Sequence, residues 1–577
     1  MKQKTQKLNT ATKPNIVDLN KTIQQAMKLH NDGDFINART RYLEVLDLDP
    51  NHFDALHLLG VVETQTNNLD QAVEYFGKAI QINQSSPDVF NNRAGLYVYL
   101  KRHADALKDC DVAIQLRPTF AEAYLNRSQI LLELKNYESA LADINKVIEL
   151  TTYPAAYNTR GAILKKLGRH KDALADFNMA LQLDKNLVDG YNNRGVLVQE
   201  LGDPLTAIKD YNNAISFNST YVEAWANRAS AYQDLNQLDK TLSDYDQALT
   251  LRPQDPMIRM HRAFALLTNG QYEQGWLEYE WRKQTPIFLG ARSYGPVEYT
   301  GQQSLKDQTI LLYTEQGLGD SIQFARYINN ISAQAKEVLV EAEAPLLHLF
   351  AASFPDNVKL IKKGHKIPAF DLHCSLMSLP MVLGTTLDNI PYSKSYLVSD
   401  PVKRKTWNKK LGPRTKPRVG LVWNGGFRPE RVDLWYVNLR RNILLEKLAV
   451  LNDLDINFYS LQKGESAEAE LAKLKNKKWK GPKIIDYTQE LNDLSDTAAL
   501  IENLDLVITV DTCVAHLSAG LGKPTWILNR FDSCWRWMRN RTDSPWYSAV
   551  KLYTQSTYGD WDSVLEQIQS DLKNLKV

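Results

Sequence analysis

The chain has 577 residues, 44% of them hydrophobic and 24% charged, which is globular composition in a chain too long for one core. Its formal charge of +2 excludes a global field that would draw it to nucleic acid or an anionic membrane, so any basic chemistry is local. The opening MKQKTQKLNTATKP is polar, no window approaches a membrane span, and the four cysteines (Cys110, Cys374, Cys513, Cys534) show no CxxC pair or metal-like spacing, so a protein of the reducing cytoplasm without disulfides is expected, with residues 1–18 disordered.

From Leu19 to Gln284 the sequence repeats every 34 residues, in blocks that begin at Leu19, Phe53, Pro87, Ala121, Pro154, Val188, Val222 and Pro256, one of them 33 residues long. Position 8 of the block is small throughout (Ala26, Gly60, Ala94, Ser128, Gly161, Gly195, Ala229, Ala263), as is position 20 from Ala38 to Ala207, followed by Thr241 and Gly275. Small residues there let paired helices approach. Aromatic residues at position 24 (Tyr42, Phe76, Phe177, Tyr211, Tyr245, Tyr279) are expected to fill the gap between hairpins, and prolines at position 32 (Pro50, Pro118, Pro253) stop the second helix. This pattern resembles the tetratricopeptide repeat, and eight tandem units predict an α superhelix that holds a partner chain.

Two ladders run through the blocks. Position 6 is Asn92, Asn126, Asn193 and Asn227, with Thr159 between. Two residues beyond the position-4 aromatic, the helix turns such a side chain by about 200° from the packed face, onto the concave surface. An asparagine has both donor and acceptor, so a row of them suits the backbone of an extended acceptor polypeptide in the repeat groove; the plain alternative is a hydrated polar row. The row resembles the asparagine ladder in the superhelix of O-linked N-acetylglucosamine transferase. Next to it stand Arg93, Arg127, Arg160, Arg194 and Arg228, matched at position 23 by Asp109, Asp143, Asp176, Asp210 and Asp244, which predicts ion pairs inside each hairpin that fix geometry.

Beyond Gln284 the period ends. Thr285 to Gln308 reads as a linker with one short element. TILLYTEQGLGDSIQFARYI follows as a strand, a glycine turn (Gly317, Gly319) and a helix starting near Asp320, a nucleotide-binding type of unit without the full GxGxxG fingerprint. Strands and helices alternate to about Ser399, a charged joint runs from Asp400 to Arg418, and a second alternating unit opens with RVGLVW and continues with NFYSLQKG. Two α/β sheets in tandem are predicted, 309–400 and 401–577, with a ligand cleft between them.

The segment LDLVITVDTCVAHLSAGLGKPTWIL (504–528) is a strand ending at Asp511, an N-cap at Thr512, and a helix ending at Gly522. Amides at that helix start make an anion site at the carboxyl edge of the sheet, where Asp511, Thr512 and, one turn inward, His516 would hold a diphosphate. A helix cap with a buried histidine is the competing reading.

TEQGLGD…FARY, VGLVWNGG, SLQKG, DTAALIENLDLVITVDTCVAHLSAGLGKPTWIL, WRW and DSPWY, in that order and spacing, resemble the glycosyltransferase group related to ADP-heptose heptosyltransferases, in its tetratricopeptide-fused bacterial branch. The resemblance runs from about Thr309 to the C-terminus. It implies a GT-B fold of two Rossmann-like domains, a nucleotide-sugar co-substrate on the C-terminal domain, an acceptor on the N-terminal one, inverting transfer, and no cofactor or obligatory metal; no Asp-x-Asp stands where a metal–diphosphate bridge would be expected. By position it makes Asp320 the general base, with Gly317 and Gly319 at the acceptor side. Asp511, Thr512, Cys513 and His516 fall in the donor-diphosphate motif, Lys463 is a basic residue facing the donor, Arg536 is a second cation, and Trp423 and Asn424 line the nucleotide pocket.

The family shows an acidic stretch ending Arg-Ser after the VGLVW strand. Here it reads RPERVDLWYVNLRRN: Arg441 fits the arginine, Asn442 replaces the serine, and the aspartate expected at Asn438 is missing, which bears on donor identity and activity. The expectation is a protein glycosyltransferase whose superhelix presents a polypeptide to Asp320, with no nucleic acid and no membrane span involved. The alternatives are a repeat-based adaptor whose GT-B module binds nucleotide without turnover, and a transferase acting on lipopolysaccharide or another glycan.

Overall fold

The computed structural model describes residues 16–285, 294–295, 297–425, 440–475 and 479–575. They fall into two compact units, up to Leu197 and from Val198 onward, with the boundary inside the helix Val188–Glu200.

The first unit is a series of antiparallel hairpins, from Ile16–Asn31 with Phe35–Leu48 to Pro154–Lys166 with His170–Leu183. Position 15 explains the sharp turns. Gly33, Asn67, Lys101, Lys135 and Gly168 all have positive φ, and the same position in the second unit holds Gly202, Asn236 and Gly270. The left-handed residue lets the next amides close on the carbonyls of the first helix, as Asn68 N does on Glu63 O at 2.8 Å. The small residue at position 8 and the ring at position 24 are two sides of one contact: a Cβ on Gly60 would lie 2.7 Å from the Phe76 ring, and one on Gly161 equally close to Phe177. The position-24 rings thus pack inside their own hairpin, not in the expected gap between hairpins, because the second helix brings them directly over that glycine.

The second unit holds the helix Pro204–Phe217, the hairpins Val222–Asp234 with Leu238–Leu251 and Pro256–Thr268 with Tyr272–Tyr279, and two parallel sheets. The first sheet is β1 (Val297–Glu298), β2 (Thr309–Tyr313), β3 (Glu337–Ala342), β4 (Val358–Lys362) and β5 (Leu372–Ser375), in the order β1-β5-β2-β3-β4. The second is β6 (Arg418–Val422), β7 (Asn457–Ser460), β8 (Ile484–Asp486), β9 (Leu506–Val510), β10 (Thr525–Asn529) and β11 (Val550–Thr554), in the order β11-β10-β9-β6-β7-β8. Strands β6 and β9 are buried along their whole length, as apolar runs covered on both faces must be. Strand order reverses between β2 and β5 in one sheet and between β6 and β9 in the other, the places where doubly wound sheets open a crevice at their carboxyl edge.

The short element expected in the linker is β1, which pairs with β5 through Val297 and Leu372, so this stretch is not a free joint. The last hairpin is not a separate body either: Leu267, Tyr272, Trp276 and Tyr279 share one apolar core with Ile310 and Val340 of the first sheet and with Trp535 and Trp546 beyond the second. The Trp546 indole N–H donates to the Tyr272 hydroxyl at 2.9 Å. Among the described residues no helix is long and apolar enough to cross a membrane. Residues 1–15 of the expected disordered segment, residues 286–293 of the expected linker, and 426–439 of the altered stretch, with Asn438, lie outside the described residues.

Candidate functional site at the facing sheet edges

After β2 the chain turns into the helix Leu318–Phe324, capped at Gly317. The helix starts two residues before the expected Asp320, so that Asp320 is its third residue and its carboxylate accepts the Gly317 N–H at 3.2 Å. The other carboxylate oxygen is ion-paired with Arg536, which follows β10 in the second sheet. Gly319 allows this meeting. A Cβ there would lie 3.1 Å from the His516 ring and 3.5 Å from Cys513 Cα, so the turn of the first sheet lies directly on the amino end of the helix Cys513–Gly520 in the second.

Beyond β9, Thr512 is the N-cap of that helix, but its hydroxyl lies 3.1 Å from the Thr509 hydroxyl instead of capping an amide. The thiol of Cys534 is 3.5 Å from an Asp511 carboxylate oxygen. Burial works against the Asp511 charge, but the His516 ring and the Arg536 and Arg441 guanidiniums outweigh it and hold the carboxyl below its usual value. His516 is stacked on Trp537 with ring centres 5.1 Å apart, and its Nδ1 lies 2.9 Å from the Tyr547 hydroxyl. Arg441 spans the β6/β9 crevice: it donates to Asp511 O at 3.2 Å and to Gly425 O at 2.7 Å, while Asn442 accepts the Gly425 N–H at 2.8 Å.

Asp320, Gly317, Gly319, Asp511, Thr512, Cys513, His516, Arg441 and Arg536 are therefore brought together. Two expected donor residues are not. The Trp423 ring is wholly buried in the core on the outer face of the second sheet, its indole N–H bound to Glu470 at 2.9 Å, because the strand alternation of β6 points it away from the crevice. The Lys463 ammonium donates to the carbonyls of Thr488 and Leu491 at 2.9 and 3.1 Å, where the turn after β8 closes on it. Asn424 does stay at the β6 edge, its backbone N–H and that of Trp423 both bound to Gln462 Oε1 at 2.9 and 3.1 Å. The two Asp-x-Asp sequences of this half lie elsewhere: Asp453 and Asp455 precede β7 at its amino end, and Asp560 caps the helix Trp561–Leu572.

In the repeats, the asparagine ladder is already engaged. In the first unit the side-chain nitrogens of Asn92, Asn126 and Asn193 bond His57, Asn91 and Asn158 of the preceding hairpin at 2.9, 2.9 and 3.1 Å. One N–H of each thus ties neighbouring hairpins together, which leaves the second N–H and the carbonyl oxygen as the groups each can offer a guest. Asn227 occupies the same position in the helix Val222–Asp234 and is half-buried. The arginine ladder forms the expected two-pronged pairs, at 2.7–2.8 Å, in Arg93–Asp109, Arg127–Asp143, Arg160–Asp176 and Arg228–Asp244.

Comparison with known proteins bears on the repeats first. The tetratricopeptide repeat family matches residues 25–87, 121–152, 154–187 and 222–255. The chain carries tetratricopeptide repeats over these residues. Protein FlbA of Caulobacter vibrioides is 28% identical over 359 residues, 56% of each chain, and the photosystem I assembly protein Ycf3 of Cuscuta gronovii is 27% identical over 90 residues, 15% of this chain and 54% of its own. The chain spans about half the length of these curated relatives. Among solved structures, a tetratricopeptide repeat protein from Parabacteroides merdae is 18% identical with a TM-score of 0.39, covering 43% of this chain and 98% of its own. YrrB, described as a TPR protein with an unusual peptide-binding site, is 23% identical with a TM-score of 0.26, covering 33% of this chain and 97% of its own.

Three side chains at the α/β site carry no role in the sequence reading: Gln462, Tyr547 and Arg326. Arg326 is fully buried, donates to Trp546 O at 2.8 Å, and lies under the rings of Tyr396, Trp546 and Tyr547 at 4.6–5.1 Å. All three stand inside the motifs FARY, SLQKG and DSPWY. The signal was there, but a motif does not say which of its letters face inward.

Proposed function

We propose that this protein is a glycosyltransferase of the GT-B type, which moves a sugar from a nucleotide sugar to a side-chain hydroxyl of a polypeptide held by the repeats. The observation that carries the reading is the ion pair of Asp320 with Arg536, which joins a carboxylate on the first sheet's turn to a cation on the second sheet at their facing carboxyl edges. In this chemistry the acceptor oxygen forms a bond to the anomeric carbon, the bond from that carbon to the diphosphate breaks, and Asp320 takes the hydroxyl proton. The nucleoside diphosphate departs with the electron pair. It sits at the amino end of the helix Cys513–Gly520, where oriented amides, Arg441 and Arg536 stabilise its growing charge. A bound diphosphate competes with Asp320 for Arg536, which frees the carboxylate for its proton.

A second reading, an adaptor that binds a partner chain and a nucleotide without turnover, is favoured by the positions of Lys463 and Trp423, both of which face away from the crevice. Incubating the full chain with a panel of nucleotide sugars separates the two. Hydrolysis or transfer from one of them supports the enzyme; a rise in melting temperature without product supports the adaptor; neither response to any donor sinks both nucleotide readings.

A further inference from the structure

A second cavity, of about 240 Å³, opens at the carboxyl ends of β10 and β11, two strands and on the order of 10 Å along the sheet from the β6/β9 crevice. Its wall includes Asn236 from the turn of the seventh hairpin, and Ser533, Met538, Arg539, Thr554 and Gln555 from the segments after the two strands. Several buried polar atoms in and beside it have no partner within the protein. Arg539 Nε, Arg530 Nη1 and Gln555 Nε2 are donors, and Asn236 Oδ1 is an acceptor. Gln555 is 4% exposed, and its Oε1 already accepts the N–H groups of Phe531 and Gly559 at 3.1 and 3.3 Å, which fixes the amide with its nitrogen unused.

Cations stand close together here. Arg440 bridges Asp234 and Asp532 at 3.1 and 3.0 Å, and Arg530 lies 3.5 Å from Asp532. Arg541 is neutralised separately by Asp543 at 2.9 Å. Burial, with Arg530 adding repulsion, pushes the Arg539 guanidinium below its ordinary value against the pull of Asp532 and Asp234, the signature of a cation short of counter-charge. Met538 and Asn540, on either side of Arg539, have φ of 59° and 54°. Left-handed backbone at a non-glycine residue is strained, and such strain persists where surrounding structure enforces a special placement.

We infer that this cavity binds a small oxyanion that carries a hydroxyl, of the hydrogen phosphate class. Three unpartnered donors, two of them on guanidiniums, call for an anion, and the lone acceptor of Asn236 calls for a hydroxyl on it. The volume is below the roughly 300–1,000 Å³ of sites for drug-sized ligands, which suits inorganic phosphate. The site is independent of the transferase reading, because none of these residues lies at the Asp320–Arg536 contact.

The test is titration of the full chain with inorganic phosphate at neutral pH, by calorimetry, beside sulfate at matched ionic strength. Phosphate is expected to bind saturably and sulfate at least tenfold more weakly, since sulfate at that pH has no hydroxyl to satisfy Asn236. Arg539→Gln should weaken phosphate at least tenfold, and Asn236→Ala should erase the preference over sulfate. If Arg539→Gln does not fold, Gln555→Glu, which keeps the two backbone contacts and places a negative charge in the cavity, gives the same readout. No saturable phosphate binding below about 10 mM would overturn the inference, as would equal affinity for sulfate, or unchanged affinity in a folded Arg539→Gln, which would put the anion elsewhere.

Discussion

His516 Nδ1 and the Tyr547 hydroxyl lie 2.9 Å apart, and the ring of Tyr547 in turn covers the buried guanidinium of Arg326 at 4.6 Å. Burial pushes the His516 pKa down to about 4, with Arg536 and Arg326 acting in the same direction against the pull of Asp511 and Asp320. The imidazole is therefore neutral at neutral pH, and one nitrogen is held by a hydroxyl that can act as donor or acceptor. A neutral ring beside Asp511 leaves the positive charge of the site to Arg536 and Arg441, which do not titrate in this range.

That depressed value fixes a pH dependence. The unfolded histidine titrates near 6.5 and the folded one near 4, so between those values the unfolded chain holds more protons and stability falls as pH drops from about 6.5 to about 4. His57 and His261, also depressed by burial, contribute in the same sense. Denaturant unfolding from pH 7 to pH 4 should lose on the order of 3 kcal/mol more in the parent than in His516→Gln, with the two curves parallel above pH 6.5. Curves parallel over the whole range would refute the burial argument.

Arg282 joins the last hairpin to the first sheet. It is wholly buried, grips Glu315 at 2.8 and 3.2 Å and the Ser378 hydroxyl at 2.8 Å, and also pairs with Glu280. Arg282→Ala leaves the buried Glu315 carboxylate without its cation, while Glu280 keeps Lys283 at 2.7 Å, and the loss should cost about 3–5 kcal/mol. Arg282→Lys should recover little of it, because an ammonium cannot form the forked contact. Melting temperature measures both, and a loss under one degree in the alanine variant would mean the contact is not holding the hairpin in place.

The sequence period made the hairpins legible because one contact, a small residue at position 8 under a ring at position 24, recurs at a fixed interval that any reading in blocks of 34 exposes. The order of elements in the α/β half was legible from apolar runs ending in Gly, Asp or Thr. Contacts between elements were not. The resemblance puts Trp423 at the nucleotide pocket, yet only the pleat decides which way such a ring points, and here it points into the core. Lys463 was assigned by motif position, while its actual partners, the carbonyls of Thr488 and Leu491, belong to a turn whose approach has no sequence signature. The absorption of the last hairpin into the sheet core is hidden for the same reason: nothing in the repeat pattern marks Trp276 and Tyr272 as facing a sheet.

The arginine ladder contains a second contact that allows a quantitative test. Arg127 binds Asp143 of its own hairpin through Nε and Nη2 at 2.7 Å, and Asp111 of the preceding hairpin through Nη1 at 2.7 Å. The side chain of Asp143 is 9% exposed and that of Asp111 is 61% exposed. A double-mutant cycle on Arg127 and Asp143 should give a coupling of about 1–3 kcal/mol, and one on Arg127 and Asp111 about 0–1 kcal/mol. Equal couplings would show that burial does not separate the two.

In the asparagine ladder one N–H of each amide ties hairpins, so a guest backbone meets the second N–H and the carbonyl oxygen. Replacing Asn92, Asn126 and Asn193 together by Ala should weaken an extended polypeptide at least tenfold in a binding titration, and Asp in the same places, which keeps the acceptors but loses the donors, should recover only part of the affinity. Unchanged binding in the alanine variant would point to another groove.

The contact between Asp320 and Arg536 discriminates most sharply between an enzyme and an adaptor. If Asp320 is the base, Asp320→Asn keeps the shape and the Gly317 cap but cannot take a proton, so transfer should fall by about 10²–10⁴-fold while nucleotide affinity changes little. Arg536→Gln removes the cation that a departing diphosphate needs, so it should weaken nucleotide binding as well as slow transfer. The two variants therefore separate on one plot of kcat against nucleotide Kd: the first drops in kcat alone, the second moves on both axes. A merely structural pair would behave otherwise. Asp320→Asn and Arg536→Gln would then lower the melting temperature by similar amounts and shift kcat and Kd together, and transfer within twofold of the parent in Asp320→Asn would exclude that carboxylate from the chemistry.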